Sequence, residues 1–584
     1  MEQNSMFRNL MAGVAFLLNT ISACYIIIFA FLQDGAPLQT LFGLLILAAL
    51  LMNIFLAYVN IGRGVSSRVQ KWGSAYLVVS IIAMLIMPAA GFAASSVYDR
   101  PTAVVLTLVA VYIPFLAVFL IGAYHSWQTR GSTAAVRELS SEGTNTNHAE
   151  IILTGRKKLL IIVLTFFLFP GFFTAFILLS RYPGLLQVVV SPCALFFAFV
   201  FPALAILILK LYGSPRRPFG LTITSIGFIL MGIFMLPLFA VPSTLRHIEE
   251  DFSSTFGENW QEQIPPVISS QLRKTRFSLP GYFLGYFPGN YNYRKDILFY
   301  EGSEGAEEEL KLYFDHFSPL SGDGNLPGDG STIIRIHGGA WVVGDKGPPN
   351  MLQMNKYLAS LGYTVFDIQY GLTENVDFLP LTELYNCIDK AAGILPGESA
   401  SLSLGAPEHL RGPYTLDDMM NHLGIFTDYL AENADELEAS TESVFISGGS
   451  AGGHLSTALA LAISGGDHDH LFNPDLQVSG YIPFYPANRA TSFLEMIGGA
   501  EEWINVESLV RPDSPPCLIF QGTNDGLVPM ETAKHFKERY AEAGNDSCVV
   551  IYMPYAAHAA DYLFGGYYNQ IFLYYMERFM ALHR

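Results

Sequence analysis

At 584 residues the chain exceeds what one ordinary core sustains, so two or more units are expected. It is 51% hydrophobic and 14% charged, against about 25% charged in a typical soluble domain, and the deficit lies before about position 241. The formal net charge of -18 argues against nucleic acid as a partner and against tight docking of the soluble part on anionic lipid, and 5 cysteines without metal-type spacing argue against a disulfide framework.

Apolar stretches recur at residues 10–32, 38–59, 75–94, 103–123, 159–179, 185–209 and 221–241. Each approaches or exceeds the ~20 residues that cross a ~30 Å hydrocarbon core. Seven spans are expected, with the proline-bearing runs as the places where the count would shift to six or eight. Loop charge sets the direction. Arg63, Arg68 and Lys71 follow the second stretch, Arg130, Arg137, Arg156, Lys157 and Lys158 lie between the fourth and fifth, and Lys210, Arg216 and Arg217 follow the sixth. The alternate loops carry little positive charge. The N-terminus is therefore expected in the cytoplasm and everything beyond Val241 outside it, in a multi-pass protein of the cell membrane. The stretches hold almost no ionisable residues, which argues against an ion-coupled pump. Pro88, Pro114, Pro170, Pro192, Pro202 and Pro237 should kink them. The favoured reading is a bundle that anchors and positions the C-terminal half.

Residues 242–290 change character. Leu245, Ile248, Phe252 and Phe256 at helical spacing predict an amphipathic helix over 243–262. The aromatic run at 277–287 suits either a lipid interface or a cover on the next domain. From about Tyr291 strands alternate with helices. Residues 296–300 and 310–314 read as a hairpin. Strands come next at 332–336, 364–368, 444–446, 478–482, 517–520 and 549–552, and helices at 416–437 and 532–543. That pattern predicts an α/β fold with a mostly parallel sheet covered on both faces, whose ligands bind beyond the carboxyl ends of the strands. The division is then 1–241, a multipass transmembrane domain of α-helices; 242–290, an amphipathic and aromatic linker or cap; and 291–584, the α/β domain. An insertion from about 391 to 414 is placed to shape access.

The strand at 444–446 ends in Gly448-Gly449-Ser450-Ala451-Gly452, and a helix comes after it. Strand, tight turn, serine, helix is the context of a nucleophile elbow. A serine hydroxyl needs a base and the base an orienting acid. Downstream, Asp525 closes a buried strand and His558 sits in the loop after the last strand, in the order Ser, Asp, His. Upstream, His337-Gly338-Gly339-Ala340-Trp341 succeeds a strand. Gly338 and Gly339 would present N–H donors to an oxyanion from one side and Ala451 from the other. Gly448 and Gly452 keep the elbow tight, and His337 and Trp341 support the loop. Asp467-His468-Asp469-His470 reads as a solvated loop rather than a metal site, and His454 as a residue packed at the helix start.

These motifs, with Gly522-Thr523-Asn524-Asp525, Leu312-Tyr313-Phe314-Asp315 and Asp367-Ile368-Gln369-Tyr370-Gly371-Leu372, resemble the α/β-hydrolase superfamily. Within it they resemble the hormone-sensitive-lipase-like esterases and the related carbohydrate-esterase and feruloyl-esterase group. Membrane isoprenylcysteine methylesterases have a similar His-Gly-Gly-Ala-Trp loop, and kynurenine formamidases share the general plan. Ala340, Gly371 and Gly449 depart from the lipase pattern of a third glycine, an arginine and an aspartate. The resemblance implies a membrane-anchored serine carboxylic-ester hydrolase that needs no metal or organic cofactor. Its expected partners are the lipid bilayer and an ester: a lipid, an acylated glycan or a small hydrophobic ester. The alternatives are acyl transfer through the same triad and a receptor or scaffold whose hydrolase fold only binds.

Overall fold

The computed structural model describes residues 2–31, 36–61, 65–139, 154–184, 186–213, 218–287, 289–320, 326–375 and 407–584. Among them, seven helical segments are long and apolar enough to cross a membrane: Met6–Phe29, Leu38–Val59, Ser67–Ser95, Arg100–Arg130, Gly155–Leu179, Ala194–Tyr212 and Pro218–Phe256. Proline shapes three of them, because it lacks the N–H that continues an α-helix. A π-helical turn at Leu108–Tyr112 precedes Pro114. The fifth segment divides into Gly155–Phe166 and Phe169–Leu179, with Pro170 in the first turn of the second piece. The seventh divides at Met235, just before Pro237. Pro88 and Pro202 remain inside continuous helices, and Pro192 lies outside one.

The segments bury some polar chemistry among themselves. Asn19 and Asn53 exchange amide hydrogen bonds of 2.8 and 2.7 Å. Asn60 lies 3.2 Å from the His125 ring and donates to Thr129 at 3.0 Å. His125 belongs to the fourth segment, whose helix runs past the apolar stretch ending at 123 and carries a buried imidazole with it. On the outer surface Phe166, Phe169, Phe172, Phe173 and Phe176 are exposed, as suits a lipid-facing side.

Two elements join this layer to the rest. Helix Leu236–Phe256 runs unbroken through positions 241 and 242, with Pro242 inside it. Its Asp251 accepts from the Val550 N–H at 3.2 Å and pairs with Lys537. The aromatic run forms a short helix, Leu279–Leu284, buried along its whole length. Tyr282 donates to the Pro192 carbonyl at 2.7 Å and accepts from the Leu195 N–H at 3.2 Å. The helix is thus packed as a wedge between the apolar helices and the C-terminal half.

Among the described residues the C-terminal half is built on ten strands: β1 (Asn292–Glu301), β2 (Lys311–Ser318), β3 (Thr332–Ile336), β4 (Thr364–Ile368), β5 (Leu372–Thr373), β6 (Arg411–Gly412), β7 (Val444–Gly449), β8 (Val478–Phe484), β9 (Cys517–Gly522) and β10 (Cys548–Met553). Eight form one sheet in the order β1-β2-β4-β3-β7-β8-β9-β10, and β5 pairs with β6. The β1–β2 and β2–β4 pairings are antiparallel and the rest of the sheet is parallel. Alternate strand residues point to opposite faces. Val444, Ile446, Ile519 and Val550 pack with helices Leu416–Glu432, Ala451–Gly465 and Met530–Glu542. Phe445, Leu518, Phe520, Val549 and Ile551 face the other way. Their hydrophobic core continues through Tyr282 and Phe283 into Ile46, Phe115 and Phe199 of the long apolar helices. One face of the sheet and the helical layer therefore share a core.

Candidate active site

Ser450 stands between β7 and helix Ala451–Gly465 with φ 57° and ψ −116°, a backbone geometry that L-residues rarely adopt. Three bonds hold it there. Its N–H donates to the Phe484 carbonyl at 3.0 Å, and its carbonyl accepts from His454 at 3.0 Å and Ala487 at 3.2 Å. The turn closes because Gly452 has no Cβ: one built there would run into the carbonyls of Ile336 and His337 at the end of β3. A Cβ on Gly448 would likewise meet the Gly452 carbonyl.

The loops after β9 and β10 bring Asp525 and His558 to this turn. His558 Nε2 lies 3.0 Å from Ser450 Oγ, and Nδ1 lies 2.8 Å from Asp525 Oδ2. The second carboxylate oxygen accepts from the N–H groups of Leu527 at 2.9 Å and Val528 at 2.8 Å. Asp525 is fully buried. The two loops are also tied to each other, Asn524 N–H to the Ala556 carbonyl at 2.9 Å and Tyr555 N–H to Thr523 Oγ1 at 3.1 Å. Tyr485 packs on the His558 ring at 4.6 Å and donates to Asp561 at 2.7 Å.

The glycine loop after β3 lies against the serine. A Cβ on Gly338 would sit 3.3 Å from Ser450 Cβ and 2.5 Å from the Gly449 carbonyl. Gly339, Ala340 and Trp341 come next, with φ of 130°, 54° and 61°. Ala340 thus carries the left-handed strain, about 1–2 kcal/mol, that a third glycine would avoid. Val342 and Val343 donate to the Gly339 carbonyl at 3.1 and 2.9 Å and close the turn. His337 is buried behind it, Nδ1 at 2.9 Å from the Gly338 carbonyl and its ring stacked on Tyr370 at 4.4 Å. Burial pushes its imidazole down to about 4, against the opposing pull of the Gly338 carbonyl. At that value the ring is neutral near neutral pH. Trp341 packs edge-on to His454 at 5.3 Å. His454 in turn reaches the Trp503 carbonyl at 2.8 Å, and burial pushes it down to about 4 as well.

The two remaining departures from the lipase pattern are filled by aromatic side chains. A Cβ on Gly449 would lie 3.1 Å from the Tyr485 hydroxyl, and one on Gly371 2.7 Å from the Tyr414 ring. The Asp467–His470 loop is at the surface, with Asp467 paired to Arg511 at 2.8 Å and His468 against Trp503 at 4.9 Å. Among the described residues no group of three or more His, Cys, Asp or Glu is arranged to hold a metal. Of the 391–414 insertion, residues 391–406 lie outside the described residues. A cavity of about 50 Å³, lined by Met87, Gly91, Phe283 and Phe564 among others, lies between the third and fourth apolar helices and the β10 loop and includes none of Ser450, Asp525 and His558.

One set of contacts had no signal in the sequence. Gln187, on the short helix Gln187–Val190 between the fifth and sixth apolar helices, is 1% exposed. Its Oε1 accepts from the Gly526 N–H at 3.2 Å and the His558 N–H at 3.5 Å. Ser191 Oγ accepts from the Ala557 N–H at 3.3 Å.

Residues 405–509 match the family model described as the alpha/beta hydrolase fold. The chain is similar to the probable carboxylic ester hydrolase LipM of Mycobacterium tuberculosis, 24% identical over 267 residues that cover 41% of this chain and 52% of that protein. It thus spans about half the length of that curated relative. Among solved structures it is similar to the apo form of Thermogutta terrifontis esterase 2, with 20% identity, 49% of this chain and 90% of that one covered, and a TM-score of 0.34. Esterase B from Lactobacillus rhamnosis aligns at 15% identity over 54% of this chain and 87% of that one, with a TM-score of 0.34. By the matched segment and the mostly parallel sheet around it, the C-terminal half of this chain has the α/β-hydrolase fold, within which its motifs resemble the hormone-sensitive-lipase-like esterases.

Proposed function

We propose that the chain is a membrane-anchored serine carboxylic-ester hydrolase, with residues 1–241 as its transmembrane domain, 242–290 as the connecting layer and 291–584 as its catalytic domain. The observation that carries this reading is the relay Asp525–His558–Ser450, with contacts of 2.8 and 3.0 Å, beside a glycine loop packed on the serine. Ser450 Oγ attacks the ester carbonyl while His558 Nε2 takes its proton. Asp525 accepts from Nδ1–H and holds the ring in the tautomer that leaves Nε2 free. The N–H groups of Gly338, Gly339 and Ala451 receive the developing oxyanion. His558 then hands its proton to the leaving alkoxide, an acyl-serine remains, and water activated by His558 releases the acid.

The lipid bilayer and an ester within reach of its surface are the partners this reading requires. The loops at 96–99 and 180–193 touch the hydrolase half, as in Tyr291 to the Tyr98 carbonyl at 2.6 Å and Tyr567 to the Ser191 carbonyl at 2.8 Å. Arg68, Lys71, Arg130, Arg156, Lys157, Lys158 and Lys210 cluster at the opposite ends of their helices. With positive charge inside, the N-terminus is cytoplasmic and the catalytic half lies outside. The full chain in detergent should hydrolyse short acyl esters and be labelled by a serine-directed phosphonate. Retention of both properties by Ser450→Ala, or their absence in folded wild-type protein, would refute the reading.

A further inference from the structure

We infer that the turn joining the fifth and sixth apolar helices is a positioning element of the catalytic site, acting through Gln187 and, less strongly, Ser191. This rests on the esterase reading. The acid and the base sit on two separate loops, and their alignment with Ser450 depends on what holds those loops. The backbone cross-links between them fix one loop to the other but not to a third body. Asn350 and Tyr568 tie the base loop to its own half, through Asp561 and the Pro554 carbonyl, and Leu178, Gln187 and Ser191 tie both loops to the apolar helices. Gln187 Oε1 takes both the Gly526 N–H, one residue past the acid, and the N–H of His558 itself. Ser191 Oγ takes the N–H of Ala557, one residue before the base. Asn524 Nδ2 donates to the Leu178 carbonyl at 2.9 Å, at the end of the fifth apolar helix.

The approach is close enough to be specific. A Cβ on Gly526 would lie 2.6 Å from the carbonyl carbon and oxygen of Tyr182 and 2.8 Å from the Arg181 carbonyl oxygen. Only glycine lets the acid loop settle against that turn. Gln187 and Ser191 are each 1% exposed, so water does not compete for the bonds they accept. The Arg181–Glu531 pair at 3.0 Å is exposed at both partners and adds little. Gln187 Oε1 is a buried acceptor shared by the two catalytic loops. Its loss lets both loops relax, and a shift of about 1 Å at the reacting atoms costs on the order of 10²-fold in rate. The bonds of both side chains to the two loops go to backbone N–H groups and not to the serine. Gln187 and Ser191 are positioning residues.

The test is Gln187→Met, close in volume but without an acceptor, with Ser191→Ala as the milder partner, both in the full chain in one detergent. Steady-state kinetics on a short acyl ester, thermal unfolding, and amide exchange of the peptides containing 523–529 and 555–562 are measured together. We expect kcat to fall about tenfold or more for Gln187→Met and about threefold for Ser191→Ala, with KM within about twofold. We also expect faster exchange confined to those two peptides and a modest drop in unfolding temperature that leaves the protein fully folded at the assay temperature, so that the rate loss exceeds any change in folded fraction. Unchanged kcat and exchange in both variants would overturn the inference, and so would a rate loss that tracks only the folded fraction. If the wild type turns over no ester, the esterase reading has failed, and the exchange measurement still decides whether Gln187 holds the loops.

Discussion

The two halves of the candidate site are built differently. Around the nucleophile, the hydrogen bonds described for residues 337–343 and 448–454 all run to partners at or beyond position 336. By the hydrogen bonds among the described residues, the serine and its glycine loop are held by strands, helices and turns of the hydrolase half. Around the acid and base, Asn524, Gly526, Ala557 and His558 bond directly to residues 178–191. The same asymmetry holds for the sheet. One face packs on its own helices, while the other shares a core with the apolar helices. On the reading proposed above, the first 241 residues would then help to fold the α/β half and to aim its base as well as anchor it.

Deleting residues 1–241 tests this most severely. It would strip Tyr282, Phe283 and the C-terminal helix Tyr567–His583 of their apolar partners, opening a continuous core rather than a surface. We expect no cooperative thermal transition and rapid proteolysis of 242–584. A soluble, folded and active fragment would collapse the comparison, reducing the helical layer to an anchor. Next in size are substitutions on the relay itself. Ser450→Ala should lower kcat by about 10⁶-fold and Asp525→Asn by about 10⁴-fold, read on the same ester with unfolding temperature as the control for folding. Smaller again is Gly452→Ala. Its Cβ would meet backbone carbonyls that cannot swing aside, so we expect a loss of about 1–3 kcal/mol in unfolding free energy. Because Gly452 lies in the self-contained half, amide exchange should rise around 337–343 and not around 180–191. Exchange that spreads to the apolar helices would erase the distinction between the two halves.

Much of this was legible in the sequence, for local reasons. Short continuous apolar, β-branched and aromatic runs mark Val444–Gly449 and Cys517–Gly522, as buried parallel strands require, and glycine turns at their ends mark where chemistry is placed. The seven apolar segments are legible because length and hydropathy suffice. What escaped was nonlocal. Gln187 and His558 are 371 positions apart, and a lone glutamine between two apolar runs has no motif. The expected start of a new region after Val241 rested on a change in composition, yet helix Leu236–Phe256 continues through it, because Pro242 costs a hydrogen bond without breaking a helix packed on both sides of that point. The wedge at Leu279–Leu284 was ambiguous because aromatic residues suit a lipid interface and a protein core equally well.

A further effect lies at the same joint and reads out only as a pH dependence of stability. Lys356, on helix Pro349–Ser360, is fully buried, and its Nζ donates to the Ser95 carbonyl at 3.1 Å and the Val97 carbonyl at 2.8 Å, at the end of the third apolar helix. Burial pushes its amine down to about 7. A neutral amine has two N–H donors, which match two carbonyls without stranding a charge. In the unfolded chain the same amine titrates at about 10.4. Between those two values the unfolded state binds the extra proton, so stability rises with pH across that window and is lost as pH falls toward 7. The slope is at most about 1.4 kcal/mol per pH unit for one group. Lys356→Met removes the titrating group and should flatten the unfolding temperature between pH 7 and about pH 10, with kcat unchanged at any one pH. Parallel stability curves for the two proteins across that range would mean that Lys356 keeps its charge in the joint, and that the helical layer meets the sheet there through an ion rather than through a neutral donor.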